Sequence, residues 1–423
     1  MNFMGGETLP KDFLFGAATS GGQVEGHHGS DWEEFEKANA DTLSQKGNID
    51  CGQGKLPEEM YKKLKIELGD PNNYRSGEAC GWRQGRYKEE LDLMANAGLN
   101  ALRFSPERSW IEPEEGVFNE DAIKHYQEFI DECRKRKIEP ILTLFHFTNP
   151  LWIADKGGWS TKEIVQNFTE YTDSLLKGLD RDLSYVISIN EPEVYTLMGW
   201  IMRAWPPQGS ITKAPKVRRN LIEAHKRSYD TIKAHSPGTS VSTAVNLSAF
   251  RAKSNNPIYR INNNIAQFFS NGLFLPQIVE YCDFIAVNNY MSFETGMNPV
   301  KPSSPFNEKG DNGWGIDPEG LYKLLLSLKK YDKRVMITEH GVADKEDSRR
   351  PKLLKDAFTS IERAIQSGVD VMGYLHWSLI DNTEWDKGKA MRFGLIGINF
   401  ETQERTPRGS LQTYSDIIRR YTK

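Results

Sequence analysis

Ser184–Val194 reads SYVISINEPEV, a β-branched run that stops at an amide, a carboxylate and a proline. Val186, Ile187 and Ile189 favour an extended strand, and Pro192 has no N–H with which to continue a ladder. Asn190 and Glu191 therefore stand at a strand end. Ordinary polar punctuation is one reading of that end. The other is a barrel strand delivering a catalytic acid to an open face. The surrounding sequence has to separate the two.

Seven more apolar runs of similar length accompany it: Phe13–Thr19, Leu99–Ser105, Glu139–His146, Thr239–Val245, Asp283–Asn289, Arg334–Glu339 and Val371–Ser378. Amphipathic stretches lie between them. RYKEELDLMANAG (Arg86–Gly98) puts Leu91, Met94 and Ala95 on one face and ends in Gly98, a C-cap signal. AIKHYQEFIDECRKRK spaces Ile123, Tyr126, Phe129, Ile130 and Cys133 by three and four. Further helices are predicted over Thr161–Leu179, Leu221–His235, Pro318–Tyr331 and Leu353–Ser367. Strands alternating with helices mean parallel β-α units. Eight units predict an α/β fold, a closed (β/α)8 TIM barrel with its active site at the C-terminal ends of the strands.

Asp31–Arg75, Ala204–Pro215 and Met297–Trp314 are polar or Pro/Gly-rich. They read either as long βα-loop insertions walling a pocket or as plain surface loops. Length alone would suggest two or three domains for 423 residues. Without a repeat, a low-complexity tract or a linker, a single domain over 1–423 is expected.

The chain is 38% hydrophobic and 26% charged with a net charge of −4, so no basic footprint points to nucleic acid. Cys51, Cys80, Cys133 and Cys282 are scattered, without a CxxC pair or a ligand-spaced His. That argues against a zinc site and a disulfide framework. The opening MNFMGGETLPKDFLFG lacks a basic segment followed by an apolar one. No apolar run approaches ~18 residues. Neither a signal peptide, a membrane span nor a metal or other cofactor is expected. A cytoplasmic location is the default, and a homo-oligomer stays open.

The predicted strand ends carry an unusual set of residues. Gln23 and Glu25 follow the first strand, Arg103 and Glu107 flank the end of the second, and His146 ends the third. Asn190 and Glu191 end the fourth, Asn288 and Tyr290 the sixth, Glu339 and His340 the seventh, and Trp377 the eighth, with Glu384 and Trp385 just beyond. Amides, carboxylates and a histidine suit sugar hydroxyls, and an indole suits the apolar face of a pyranose. A single Trp in a strand is more often core; Trp377 and Trp385 bracketing Glu384 read better as a binding edge. Glu191 and Glu339 supply the two carboxylates that glycosidic hydrolysis requires. Taken singly, each could be a helix N-cap or a rim ion pair. His146 could be a satisfied core histidine, and without a second His at ligand spacing it does not suggest metal.

At this point the motifs match a known family. FLFGAATSGGQVEG, RYKEELDLM, ALRFS, LTLFHFTNP, SINEP, DFIAVNNY, DNGWGIDPEGL, VMITEHG, GYLHWSLIDNTEW and MRFGL run in order from about Phe13 to Tyr414. The chain resembles glycoside hydrolase family 1, the retaining β-glycosidases, and its archaeal-type members most. The resemblance implies Glu191 as acid/base and Glu339 as nucleophile, with Arg103, Tyr290 and Asn288 supporting the nucleophile and keeping it ionised. It implies sugar contacts for Gln23, His146, Asn190, Tyr290, Glu384 and Trp385, a stacking platform for Trp377, and an aglycone-side place for Trp314. The expected substrate is a small-molecule or oligosaccharide β-glycoside.

Relatives acting on 6-phosphorylated sugars carry Ser at the position of Glu384 and a Lys–Tyr clamp downstream. Here Met391 and Phe393 stand at the clamp positions, so unphosphorylated β-glucosides or β-galactosides are expected. A β-mannosidase-type specificity and a catalytically silent sugar-binding homologue remain alternatives. The chain departs from the family pattern at Gly22, Gly81, Trp82, Pro106, Arg108, Trp110, Asn289 and His340. If His340 titrates near Glu339, it is expected to shift the pH optimum.

Overall fold

The computed structural model describes residues 9–46, 64–299 and 302–422. All eight predicted strands form: β1 (Leu14–Ala18), β2 (Ala101–Phe104), β3 (Glu139–Phe145), β4 (Tyr185–Asn190), β5 (Ser240–Asn246), β6 (Ile285–Asn288), β7 (Val335–His340) and β8 (Val371–Trp377). They close in sequence order into a barrel in which β1 pairs with both β2 and β8, and every pairing is parallel. Both faces of each strand are covered, which is why the runs are almost continuously apolar. Ala101, Ile141, Ile187, Ala244, Ala286, Met336 and Leu375 belong to one buried cluster with Ala18 and Trp377. A larger cluster joins strand residues such as Leu102, Leu142 and Val186 to helix residues such as Phe129 and Leu175.

The helices start and stop where local chemistry dictates. Tyr87–Ala97 ends at Gly98, whose φ of 85° is left-handed and whose N–H reaches the carbonyls of Met94 and Ala95. Glu120–Lys135 is capped by Asn119, which accepts from the N–H groups of Asp121 and Ala122. Its acidic first turn and basic last turn complement the helix dipole.

Several expectations need correction. Asp31–Lys46, read as loop, begins the insertion as a helix; its sequence is mostly polar because few side chains, Trp32 and Phe35 among them, reach the core. The middle of that insertion, including Cys51, lies outside the described residues, while Cys80, Cys133 and Cys282 are free and buried. The helix expected from Leu221 begins at Ala214. Helices Pro257–Asn271 and Gly409–Tyr421, and a parallel strand pair Ala249–Ala252 with Ser292–Thr295, lie outside the predicted set. Among the described residues, no helix is long and apolar enough to cross a membrane.

Strand register decides what meets at the barrel mouth. Ala18 is level with Arg103 and with Trp377, Asn246 is level with Asn288, and Asn288 is level with Glu339.

Candidate active site

Glu191 follows the last residue of β4 with φ 43° and ψ 59°, a left-handed conformation uncommon for a residue with a side chain. Pro192 then starts the short helix Pro192–Thr196. Glu191 occupies the N-cap position, yet its side chain makes no capping hydrogen bond. Its Oε1 instead accepts from Asn246 Nδ2 and Asn288 Nδ2, each at 2.8 Å. Pro192 thus ends the strand while the carboxyl faces inward, and capping does not explain Glu191.

Glu339 sits near the end of β7, 3% exposed. Arg103 Nη1 donates to its Oε1 at 2.5 Å, and the Tyr290 hydroxyl donates to its Oε2 at 2.7 Å. Arg103 is fully buried and spends its other donors on Asn190 Oδ1 at 2.7 Å and Thr143 Oγ1 at 2.9 Å. This is an ion pair inside the barrel, not at its rim.

The two carboxyls feel different fields. Burial pushes Glu191 well above the usual carboxylate range, and the charge of Glu339 pushes it further. Burial also raises Glu339, against the expectation of a low value, but Arg103 and Tyr290 oppose the rise. Glu191 has only neutral amides to oppose its own. Glu193, two residues on, is buried and raised to about 8 by that burial; its Oε1 holds the Asn246 N–H.

Asn190 links the pair to the remaining polar groups. Its Oδ1 accepts from Arg103 and, at 3.1 Å, from Asn288. The amide nitrogen must then be the donor to His146 Nε2 at 3.0 Å. His146 is held well below its usual range by burial and then by Arg103, so it is neutral with its proton on Nδ1. That atom is buried and has no hydrogen-bond partner among the described residues. Gln23 donates to Asn382, Thr383 and, at 3.3 Å, to Glu384 Oε2. Burial, with help from Glu339, raises Glu384 to about 8. The Trp377 ring lies 5.9 Å from His146. Trp385 stacks on His146 on one side and packs against His27 and Trp32. Trp314 sits edge-on to Tyr290 at 5.5 Å.

Glu25 and Glu107 do not join this group. The Tyr126 hydroxyl donates to Glu25 at 2.6 Å and accepts the Glu107 N–H at 2.9 Å, tying the segment after β1 to the segment after β2. Gly22 is part of the same packing: a Cβ there would lie 2.5 Å from His27 Nδ1 and 2.9 Å from Glu107 Oε2. The Arg108 and Trp110 departures are also structural. Arg108 pairs with Glu112 and lies over Tyr171, while Arg83 lies over Trp110. Asn246, Thr143 and Glu193 are the residues that sequence reasoning missed.

Asn289 and His340 share one place. Both line a small cavity of about 20 Å³ that Tyr290, Trp314 and Asp317 also bound. His340 turns away from the Glu339 carboxyl: its Nδ1 lies 3.1 Å from the Tyr374 hydroxyl, and burial lowers it to about 4. The imidazole is therefore neutral near pH 7. His340→Asn is expected to leave the acidic limb of the kcat/KM profile within about 0.3 pH unit of native; a larger displacement would show that His340 titrates with the site.

Among the described residues, no group of three or more His, Cys, Asp or Glu side chains is arranged to hold a metal ion. A closed parallel barrel with a buried carboxyl pair among amides, histidine and indoles is the architecture of a sugar-cleaving barrel enzyme. Residues 6–284 and 266–422 match the model of glycosyl hydrolase family 1, and the chain belongs to that family. It is an O-glycosyl hydrolase. Beta-glucosidase A of Acetivibrio thermocellus is 29% identical over 97% of this chain and 98% of its own length. The beta-galactosidase of Sulfolobus acidocaldarius is 27% identical over 97% and 95%. Among solved structures, a beta-glycosidase from Pyrococcus horikoshii superposes with a TM-score of 0.84 and 32% identity over 98% of this chain and 95% of that one.

Proposed function

We propose that the protein is a retaining exo-β-glycosidase acting on unphosphorylated β-glucosides and β-galactosides by double displacement. The observation that carries this reading is the asymmetry of the two carboxyls: Glu339 has a guanidinium and a phenol at its oxygens, whereas Glu191 has only amides. In the first step a Glu339 oxygen bonds to the anomeric carbon as the bond to the aglycone oxygen breaks, and Glu191 gives that oxygen its proton. In the second, Glu191 takes a proton from water, the water oxygen bonds to the anomeric carbon, and the bond to Glu339 breaks. Asn246 and Asn288 both occupy Glu191 Oε1, which leaves Oε2 to carry the proton.

Glycosylation neutralises Glu339 and removes the charge that raises Glu191, so the acid of the first step becomes the base of the second. Asn190, the His146 Nδ1–H, Gln23, Glu384 and Trp385 offer hydroxyl partners, Trp377 offers a platform, and Trp314 stands on the aglycone side. With Glu384 at about 8, the case against a sugar phosphate rests on the missing cation: Met391 and Phe393 are buried in the apolar cluster. The relatives' names, beta-glucosidase and beta-galactosidase, support the gluco and galacto choice. Proton NMR of an aryl β-glucoside digest tests the reading. The β-anomer should form first and then mutarotate; initial release of the α-anomer would exclude double displacement.

A further inference from the structure

Helix Pro257–Asn271 presents its apolar residues to solvent. Ile258, Ile261, Ile265, Phe268 and Phe269 follow one another by three, four, three and one, which at 3.6 residues per turn gathers them on an arc of about 100°. Such a stripe normally faces a core. Here the five are 50, 60, 38, 57 and 64% exposed, and Ala266 is the helix's one buried residue. The helix is anchored along one flank of that stripe. Asn262 Nδ2 donates to the carbonyls of Gly296 and Met297 at 3.0 and 2.9 Å, and the helix packs on the strand pair Ala249–Ala252 and Ser292–Thr295. Met297, 66% exposed, extends the surface. The paired strands follow directly from β5 and β6, whose ends hold Asn246 and Asn288 against Glu191, so the stripe lies beside the catalytic face.

We propose that this helix face is a homodimer interface, a twofold contact in which the stripe of one copy covers the stripe of the other. Charge and area both select a second copy. From Ser254 to Val279 the only charged residue is Arg260, so two identical surfaces meet there without rows of like charge opposed, as an isologous contact requires. A helix that seats on lipid carries lysines and arginines on its polar face; here that face is Asn263, Asn264 and Gln267 beside the lone Arg260. The six exposed side chains present roughly 650 Å², more than the largest apolar patch of most monomers and close to the ~800 Å² per partner of a stable complex. Antiparallel packing of the two helices lays the phenylalanine end of one over the isoleucine end of the other.

Light scattering after size exclusion tests this at micromolar concentration. The native chain should run at twice its 48.2 kDa, and Ile261→Glu/Phe269→Glu should halve that mass. Activity per chain on an aryl β-glucoside should stay within about twofold, and circular dichroism should show a native fold. Ile66→Glu, at a residue 85% exposed elsewhere, should remain a dimer and serves as the control. A monomeric native chain, or a dimer that survives the double substitution, would overturn the proposal. So would a native monomer that co-sediments with phosphatidylcholine vesicles, which would assign the stripe to lipid.

Discussion

Glu339→Gln is expected to lower kcat/KM for an aryl β-glucoside by roughly four orders of magnitude or more, about 5.5 kcal/mol of lost transition-state stabilisation. The amide keeps the size of the carboxyl and can still accept from Arg103 or Tyr290, so the fold should survive. What it lacks is the negative charge that makes a carboxylate oxygen a nucleophile toward the anomeric carbon, the role proposed for Glu339. Arg103 retains Asn190 Oδ1 and Thr143 Oγ1 as acceptors, which limits the cost of its unpaired charge. The substitution should also lower the Glu191 pKa, because the Glu339 charge is the second-largest cause of its rise. A carbon-13 titration of Glu191 would read that shift without any turnover. Native-like melting with activity within about tenfold of native, ~1.4 kcal/mol, would remove Glu339 from the nucleophile's role.

Most of the barrel was legible because its strands are covered on both faces, so each is a compact apolar run with polar ends. The eight runs and the helices between them therefore show directly in the sequence. Helix Asp31–Lys46 was not legible, since its polar sequence gives the core few side chains. Helix Pro257–Asn271 carries a clear helical spacing, but that spacing faces solvent.

At the site, the strand-end rule found Arg103, Asn190, Asn288, Tyr290 and Glu339, and the structure brings all of them together with Glu191. It also gathered Glu25 and Glu107, which bind the barrel's loops to one another instead. Asn246 was hidden by one residue: the fifth strand was predicted to end at Val245, and the amide that reaches Glu191 comes next. Thr143 is an interior strand residue, visible only once Arg103 is seen to bond it. The structure argues against the His340 effect for a different reason, its ring turning to the Tyr374 hydroxyl. Adjacency to Glu339 in sequence does not place two strand side chains on the same face, because successive residues point to opposite sides.

Glu191→Ala should divide substrates by their leaving groups. For an alkyl β-glucoside, whose departing alkoxide needs a proton, kcat/KM should fall by about 10³- to 10⁴-fold, the upper range for general acid catalysis. A dinitrophenyl β-glucoside leaves as a stabilised anion, so its first step should lose far less. Its second step still needs a base to activate water, and the glycosyl–Glu339 ester should accumulate, giving a burst of phenolate followed by slow turnover. The pH profile supplies a second readout. If Glu191 is the acid, it must hold its proton at the start of the cycle, and kcat/KM should fall as pH rises through its raised pKa. In the variant that basic limb should vanish for the dinitrophenyl substrate, while the acidic limb set by ionisation of Glu339 remains. Equal losses for both leaving groups with the basic limb intact would mean that Glu191 only positions the sugar. Its two amide partners make that outcome testable in the same assay: Asn246→Ala removes one donor to Oε1 and leaves the carboxyl in place. If Glu191 is the acid, that change should move the basic limb upward, because the lost hydrogen bond had favoured the ionised form.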